Sequence, residues 1–65
     1  MRSYSSREVI KILKQNGLYL ARTEGSHHHF LHPDKPGLVT VKHPDKDIPI
    51  ATLKSIERQS GLKFK

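Results

Sequence analysis

The chain has 65 residues, with twelve Lys and Arg against six Asp and Glu, a formal net charge of +6, a pI near 10.0 and no cysteine. That length leaves room for one domain, spanning 1–65, near the size at which only about 60% of the unfolded surface is buried on folding. The absence of cysteine excludes disulfides and thiolate zinc sites and fits a reducing, cytoplasmic setting. No apolar run is long enough for a membrane span or a secretion signal. The basic excess favours a polyanionic partner through counterion release, which makes RNA or DNA the leading class. The cations are spread along the chain, with no basic tail.

Ser5-Ser6-Arg7-Glu8 fits a capping box, in which a serine hydroxyl accepts from the backbone three residues on and Glu8 reaches back. A helix is predicted over residues 5 to 16. Val9, Ile10, Ile12 and Leu13 make its apolar stripe, while Arg7, Lys11, Lys14 and Gln15 face water; Asn16-Gly17 supplies the left-handed closure. Beyond Gly17 the spacing changes to short segments rich in aromatic, β-branched and aliphatic residues, a strand signature. LYLART (18 to 23) is the first strand. A tight turn at Glu24-Gly25 returns Ser26 to His32 antiparallel as the second.

Pro33 to Gly37, with two prolines and a glycine, reads as a loop. LVTVKH (38 to 43) makes a third strand, with Val39 and Val41 on one face and Thr40 and Lys42 on the other. A second polar loop follows from His43 to Asp47. Pro49 then falls in the first turn of a helix capped by Asp47, with Ile50, Leu53 and Ile56 as its apolar stripe and Ser60-Gly61 as its end. The order helix, three strands, helix predicts an α+β domain: a three-stranded antiparallel meander with both amphipathic helices covering one face.

GSHHHF (25 to 30) carries the chemistry. Side chains alternate along a strand, so His27 and His29 share one face and His28 shares the other with Phe30. Three consecutive histidines therefore cannot all ligate one ion. A His27/His29 pair could chelate with His32 or His43 as a third ligand, but no carboxylate or cysteine stands at a recognised ligand spacing, and neither a metal nor another cofactor is expected. Acid/base chemistry is the alternative. RNA cleavage without a metal needs a group to take the 2′-hydroxyl proton, one to protonate the departing 5′-oxygen, and positive charge near the phosphate; histidine suits either transfer and Lys or Arg the third.

If Phe30 faces the core, His28 stands on the same face near the strand end, partly enclosed, with His27 and His29 outward. Burial of Leu31 instead would reverse that choice. A histidine beside a phenylalanine can also simply pack and hydrogen-bond. His32 and His43, each before a proline, read as loop-entry residues and stay open as second proton-transfer partners.

A helix ending in NG, then GSHHHF, an HP pair, a VTV strand, a second HP and IPIATLKSIERQSGL together resemble the HicA (YcfA-like) toxins, the RNA-cleaving halves of HicAB toxin–antitoxin pairs. The resemblance runs from about Ser5 to Leu62. It implies an αβββα fold like that of double-stranded-RNA-binding domains and a metal-independent, sequence-relaxed mRNA endonuclease. The essential histidine of that family is the second in the GSHH motif, which is His28 here, with Gly25 and Ser26 completing the motif. It further implies a HicB-type antitoxin that covers or obstructs this histidine. The free chain is expected to be a monomer. One departure is Ile50-Ala51, where relatives often carry small or basic residues.

Lys42, Lys46 and Lys54, near the end of the third strand and on the second helix, are the expected phosphate contacts. The reading from another class is a non-catalytic RNA-binding module, which the fold alone does not separate from a nuclease.

Overall fold

The computed structural model describes residues 2–64. Its order is α1 (Ser6–Gln15), β1 (Tyr19–Glu24), β2 (His27–His32), β3 (Lys35–Lys42) and α2 (Ile50–Ser60), an α+β arrangement in which the strands pair antiparallel in the order β1-β2-β3. The predicted capping box is present. The Glu8 backbone N–H donates to Ser5 Oγ at 3.2 Å and the Ser5 N–H donates to Glu8 Oε1 at 3.0 Å. Arg2 closes on the same carboxylate at 3.1 Å. The Ser5 N–H first, and the Arg2 guanidinium with it, hold the Glu8 carboxyl below its ordinary range.

Alternation along the strands decides which face is packed. Phe30 of β2 and Val39 and Val41 of β3 are buried with Val9 and Leu13 of α1 and Leu53 and Ile56 of α2, so both helices cover one face of the sheet. Residues before and after the helices close this core. The tilted rings of Tyr4 and Phe64 pack with centroids 5.3 Å apart, and the Ile48 N–H donates to the Tyr4 carbonyl at 2.9 Å. Gly17 ends α1 with φ +87°, a conformation L side chains avoid, and a Cβ there would lie 3.0 Å from His32 Nε2.

Several boundaries differ from the sequence reading. The hairpin turn is Gly25-Ser26, since Glu24 pairs with His27, so Ser26 belongs to the turn and not to the strand. Pro36 and Gly37 lie inside β3, which starts at Lys35 and leaves only Pro33-Asp34 as the turn. Proline's missing donor and the φ of +106° at Gly37 disturb the ladder locally, and the register slips between Phe30 and His32, yet pairing resumes at Lys35 opposite His32. A one-residue bulge also shifts β1 between Leu20 and Arg22.

In α2 the N-cap is Pro49, with no side-chain cap, and Asp47 instead donates its backbone N–H to Asp45 Oδ1 at 3.1 Å. Ile50 is 57% exposed. At about 100° per residue it lies on the shoulder of the face set by Leu53, Ile56 and Ser60, and so misses the core.

Candidate active site at the rim of the sheet

The parity of β2 is fixed by Phe30, which is 1% exposed, whereas Leu31 is only half-buried. His28 therefore shares the packed face with Phe30 and pairs with Val41 on one side and Thr23 on the other. It stands two residues from the Gly25-Ser26 turn, and it is half-buried. Its Nδ1 lies 3.2 Å from the Ser26 carbonyl oxygen. A carbonyl only accepts, so Nδ1 carries a proton and Nε2 is the position that can exchange one. Among the described residues no group bonds that Nε2.

The neighbouring histidines behave differently. His27 is exposed and, by alternation, on the open face of the sheet. His29 shares that face but is not outward in the sense expected from sequence, being only 8% exposed. The reason is a local polar cluster. Its Nε2 donates to Glu24 Oε1 at 2.8 Å, and its Nδ1 meets Thr40 Oγ1 at 2.9 Å. Both ring nitrogens are occupied, so His29 joins β1 and β3 across β2 and has no position left for a substrate proton.

A second histidine meets His28 from beyond the end of β3. The ring centroids of His28 and His43 are 5.2 Å apart and the planes cross at 87°. The His43 backbone N–H donates to the Ser26 carbonyl at 2.8 Å, so a single oxygen ties the turn before β2, the His28 ring and the segment after β3 together. His43 Nδ1 lies 2.7 Å from Ser6 Oγ in the first turn of α1. Ser6 is buried, and its hydroxyl also accepts from the Asp45 N–H at 2.8 Å. His43 is open as a partner from sequence alone, but nothing there marks Ser6, which stands 37 residues away and reads locally as part of a helix start.

His32 is not part of this cluster. It ends β2, and its Nδ1 accepts from the Asp34 N–H at 3.0 Å. Of the expected phosphate contacts, Lys42 ends β3 opposite His27 and, by alternation with buried Val41, projects on the face away from His28. Lys46 is exposed in the segment after His43, and Lys54 is exposed on α2. Gly25 and Ser26 form the turn, with φ +58° at Gly25, a conformation that favours glycine. Among the described residues, no group of three or more His, Asp or Glu side chains is disposed to hold a metal ion.

A family model for the HicA toxin of bacterial toxin–antitoxin systems matches residues 6–62. The chain belongs to the HicA toxin family. The match spans both helices and the sheet, and with them the His28–His43–Ser6 cluster. No curated protein matches the chain. HicA membership makes this protein the toxin of a toxin–antitoxin pair, with nuclease-type activity in general and an antitoxin as its partner. No helix among its described residues is long and apolar enough to cross a membrane.

Proposed function

We propose that this HicA toxin is a metal-independent endoribonuclease that cleaves mRNA in the cytoplasm and so arrests translation and growth, with His28 as its proton-transfer residue. The observation that carries this reading is the state of the His28 ring: half-buried, turned by the Ser26 carbonyl, and open at Nε2. A ring fixed in this way arrives at a bound ribose already oriented, and a positioned general acid or base of this kind contributes about 10²–10⁴-fold to rate.

The 2′-hydroxyl attacks the adjacent phosphorus, the bond to the 5′-oxygen breaks, and the products are a 2′,3′-cyclic phosphate and a 5′-hydroxyl. The chain's net charge of +6 supplies sequence-independent attraction to RNA, which fits relaxed specificity. Lys46 and Lys54 stand as phosphate contacts; Lys42 belongs with them only through RNA that wraps to the open face. The free toxin acts as a monomer, and a HicB-type antitoxin neutralises it by covering the His28 rim.

Induced expression in a bacterial host tests the proposal, with transcript ends mapped over the minutes after induction. The wild-type chain should arrest growth and leave new 5′ ends within coding regions. His28→Ala should restore growth and abolish those ends while the protein accumulates. Arrest by both chains would remove His28 from the mechanism. Arrest without new transcript ends would favour a non-catalytic RNA-binding module.

A further inference from the structure

The ribonuclease reading leaves the second proton transfer unassigned. From the geometry we infer that His43 is the general acid that protonates the departing 5′-oxygen, with His28 as the base, and that Ser6 is the residue positioning His43. This inference rests on the ribonuclease reading above.

The assignment follows from what each Nδ1 faces. His28 Nδ1 faces a carbonyl, which can only accept, so in the neutral ring the proton sits on Nδ1 and the Nε2 lone pair is free to take the 2′-hydroxyl proton. His43 Nδ1 faces a hydroxyl, which can donate as well as accept. Ser6 is only 1% exposed, its oxygen already accepts from the Asp45 N–H, and His43 Nδ1 at 2.7 Å is the acceptor within its reach. With the Ser6 proton directed to Nδ1, the neutral His43 ring keeps its own proton on Nε2. In the cationic ring Nε2 is protonated as well, and the Ser6 oxygen then accepts from Nδ1. His43 therefore presents a proton at Nε2 in both states, as a donor must, whereas neutral His28 presents a lone pair. The two rings stand 5.2 Å apart, a spacing that lets them address the two oxygens of one phosphodiester.

The transfers balance. His28 Nε2 takes the 2′-hydroxyl proton as the oxygen's electron pair forms the new bond to phosphorus. The electron pair of the breaking phosphorus–oxygen bond stays on the 5′-oxygen, which takes a proton from cationic His43 Nε2. One proton enters the pair and one leaves it, and exchange with solvent restores the starting state.

The test uses RNA in which sulfur replaces the 5′-oxygen at a linkage the wild-type protein cuts. A thiolate departs without protonation, so loss of the general acid is forgiven on sulfur and loss of the base is not. His43→Ala and His43→Asn should cleave the oxygen linkage about 10²–10⁴-fold more slowly than wild type, yet come within a few-fold of it on sulfur. The Asn variant keeps an acceptor for the Ser6 hydroxyl and so controls for folding. His28→Ala should be slow on both linkages, and Ser6→Ala should follow the His43 pattern at smaller amplitude.

The inference is overturned if His43→Asn cleaves the oxygen linkage within about threefold of wild type, or if it is slowed equally on both linkages. An equal slowing of Ser6→Ala on both would assign Ser6 to folding alone. If wild type cleaves neither substrate in EDTA, or His28→Ala cleaves like wild type, the ribonuclease reading itself fails and takes this inference with it. That pattern is distinct from one in which only the His43 variants are unimpaired.

Discussion

Ser6 and Asp45 are hydrogen-bonded to each other twice: the Ser6 N–H donates to the Asp45 carbonyl and the Asp45 N–H donates to Ser6 Oγ, each at 2.8 Å. The pair locks the first turn of α1 to the segment that carries His43. Ser6→Ala leaves the Asp45 N–H and His43 Nδ1 without their partner at a part-buried site, where each unmet group is costly. The expected loss is roughly 1–3 kcal/mol of unfolding free energy, read from a urea titration. A loss under about 0.5 kcal/mol, within the scatter of ordinary surface substitutions, would show that the segment is held by other contacts.

His29 is assigned to structure, since Glu24 and Thr40 take both its nitrogens. His29→Ala should lower stability by about 1–3 kcal/mol, because it removes a buried ring together with its hydrogen bonds to Glu24 and Thr40. RNA cleavage below the melting range should be unchanged. A cleavage defect in the folded variant would move His29 into the site.

Gly17→Ala combines a φ of +87° with a Cβ only 3.0 Å from His32 Nε2. Strain in this region is on the order of 1–3 kcal/mol, and the tip of the His32 ring must also give by a few tenths of an ångström. Thermal unfolding should shift down while the family of cleavage products stays the same. An unchanged melting temperature would show that neither the φ of Gly17 nor the His32 contact limits this position.

Glu8 gives a pH dependence with a definite sign. Its carboxyl is held below the ordinary range by the Ser5 N–H and by Arg2. A group whose folded pKa is depressed stabilises the fold fully above its unfolded value, and that contribution is lost as pH falls through the folded value. Wild type should therefore exceed Glu8→Gln in melting temperature above about pH 5, and the two curves should converge in acid. Parallel curves down to pH 2 would show that the carboxylate charge plays no part in the cap.

Much of this architecture is legible in the chain because its signals are local. Ser5 and Glu8 mark the helix start through residues three apart, Val39 and Val41 mark a strand face through residues two apart, and Phe30 selects His28 by the same alternation. Features that depend on distant partners are not legible. The Pro36-Gly37 segment looks like loop, yet it extends β3 because pairing resumes at Lys35 opposite His32. His29 looks outward, yet Glu24 and Thr40 from two other strands enclose it. Lys42 carries its charge at a strand end, but the parity that buries Val41 sends it to the other face from His28. Ser6 is a capping-region serine until folding brings His43 to it.

The central claim is that one imidazole of three consecutive ones does the chemistry without an ion. It is tested most directly by cleavage of end-labelled RNA in EDTA by wild type and by the His27→Ala, His28→Ala and His29→Ala variants, each at a temperature where it is folded. The account predicts that wild type, His27→Ala and His29→Ala cleave at similar rates and that His28→Ala is slower by about 10²-fold or more. Cleavage by His28→Ala at the rate of its neighbours, or a wild-type rate that vanishes in EDTA, would contradict it.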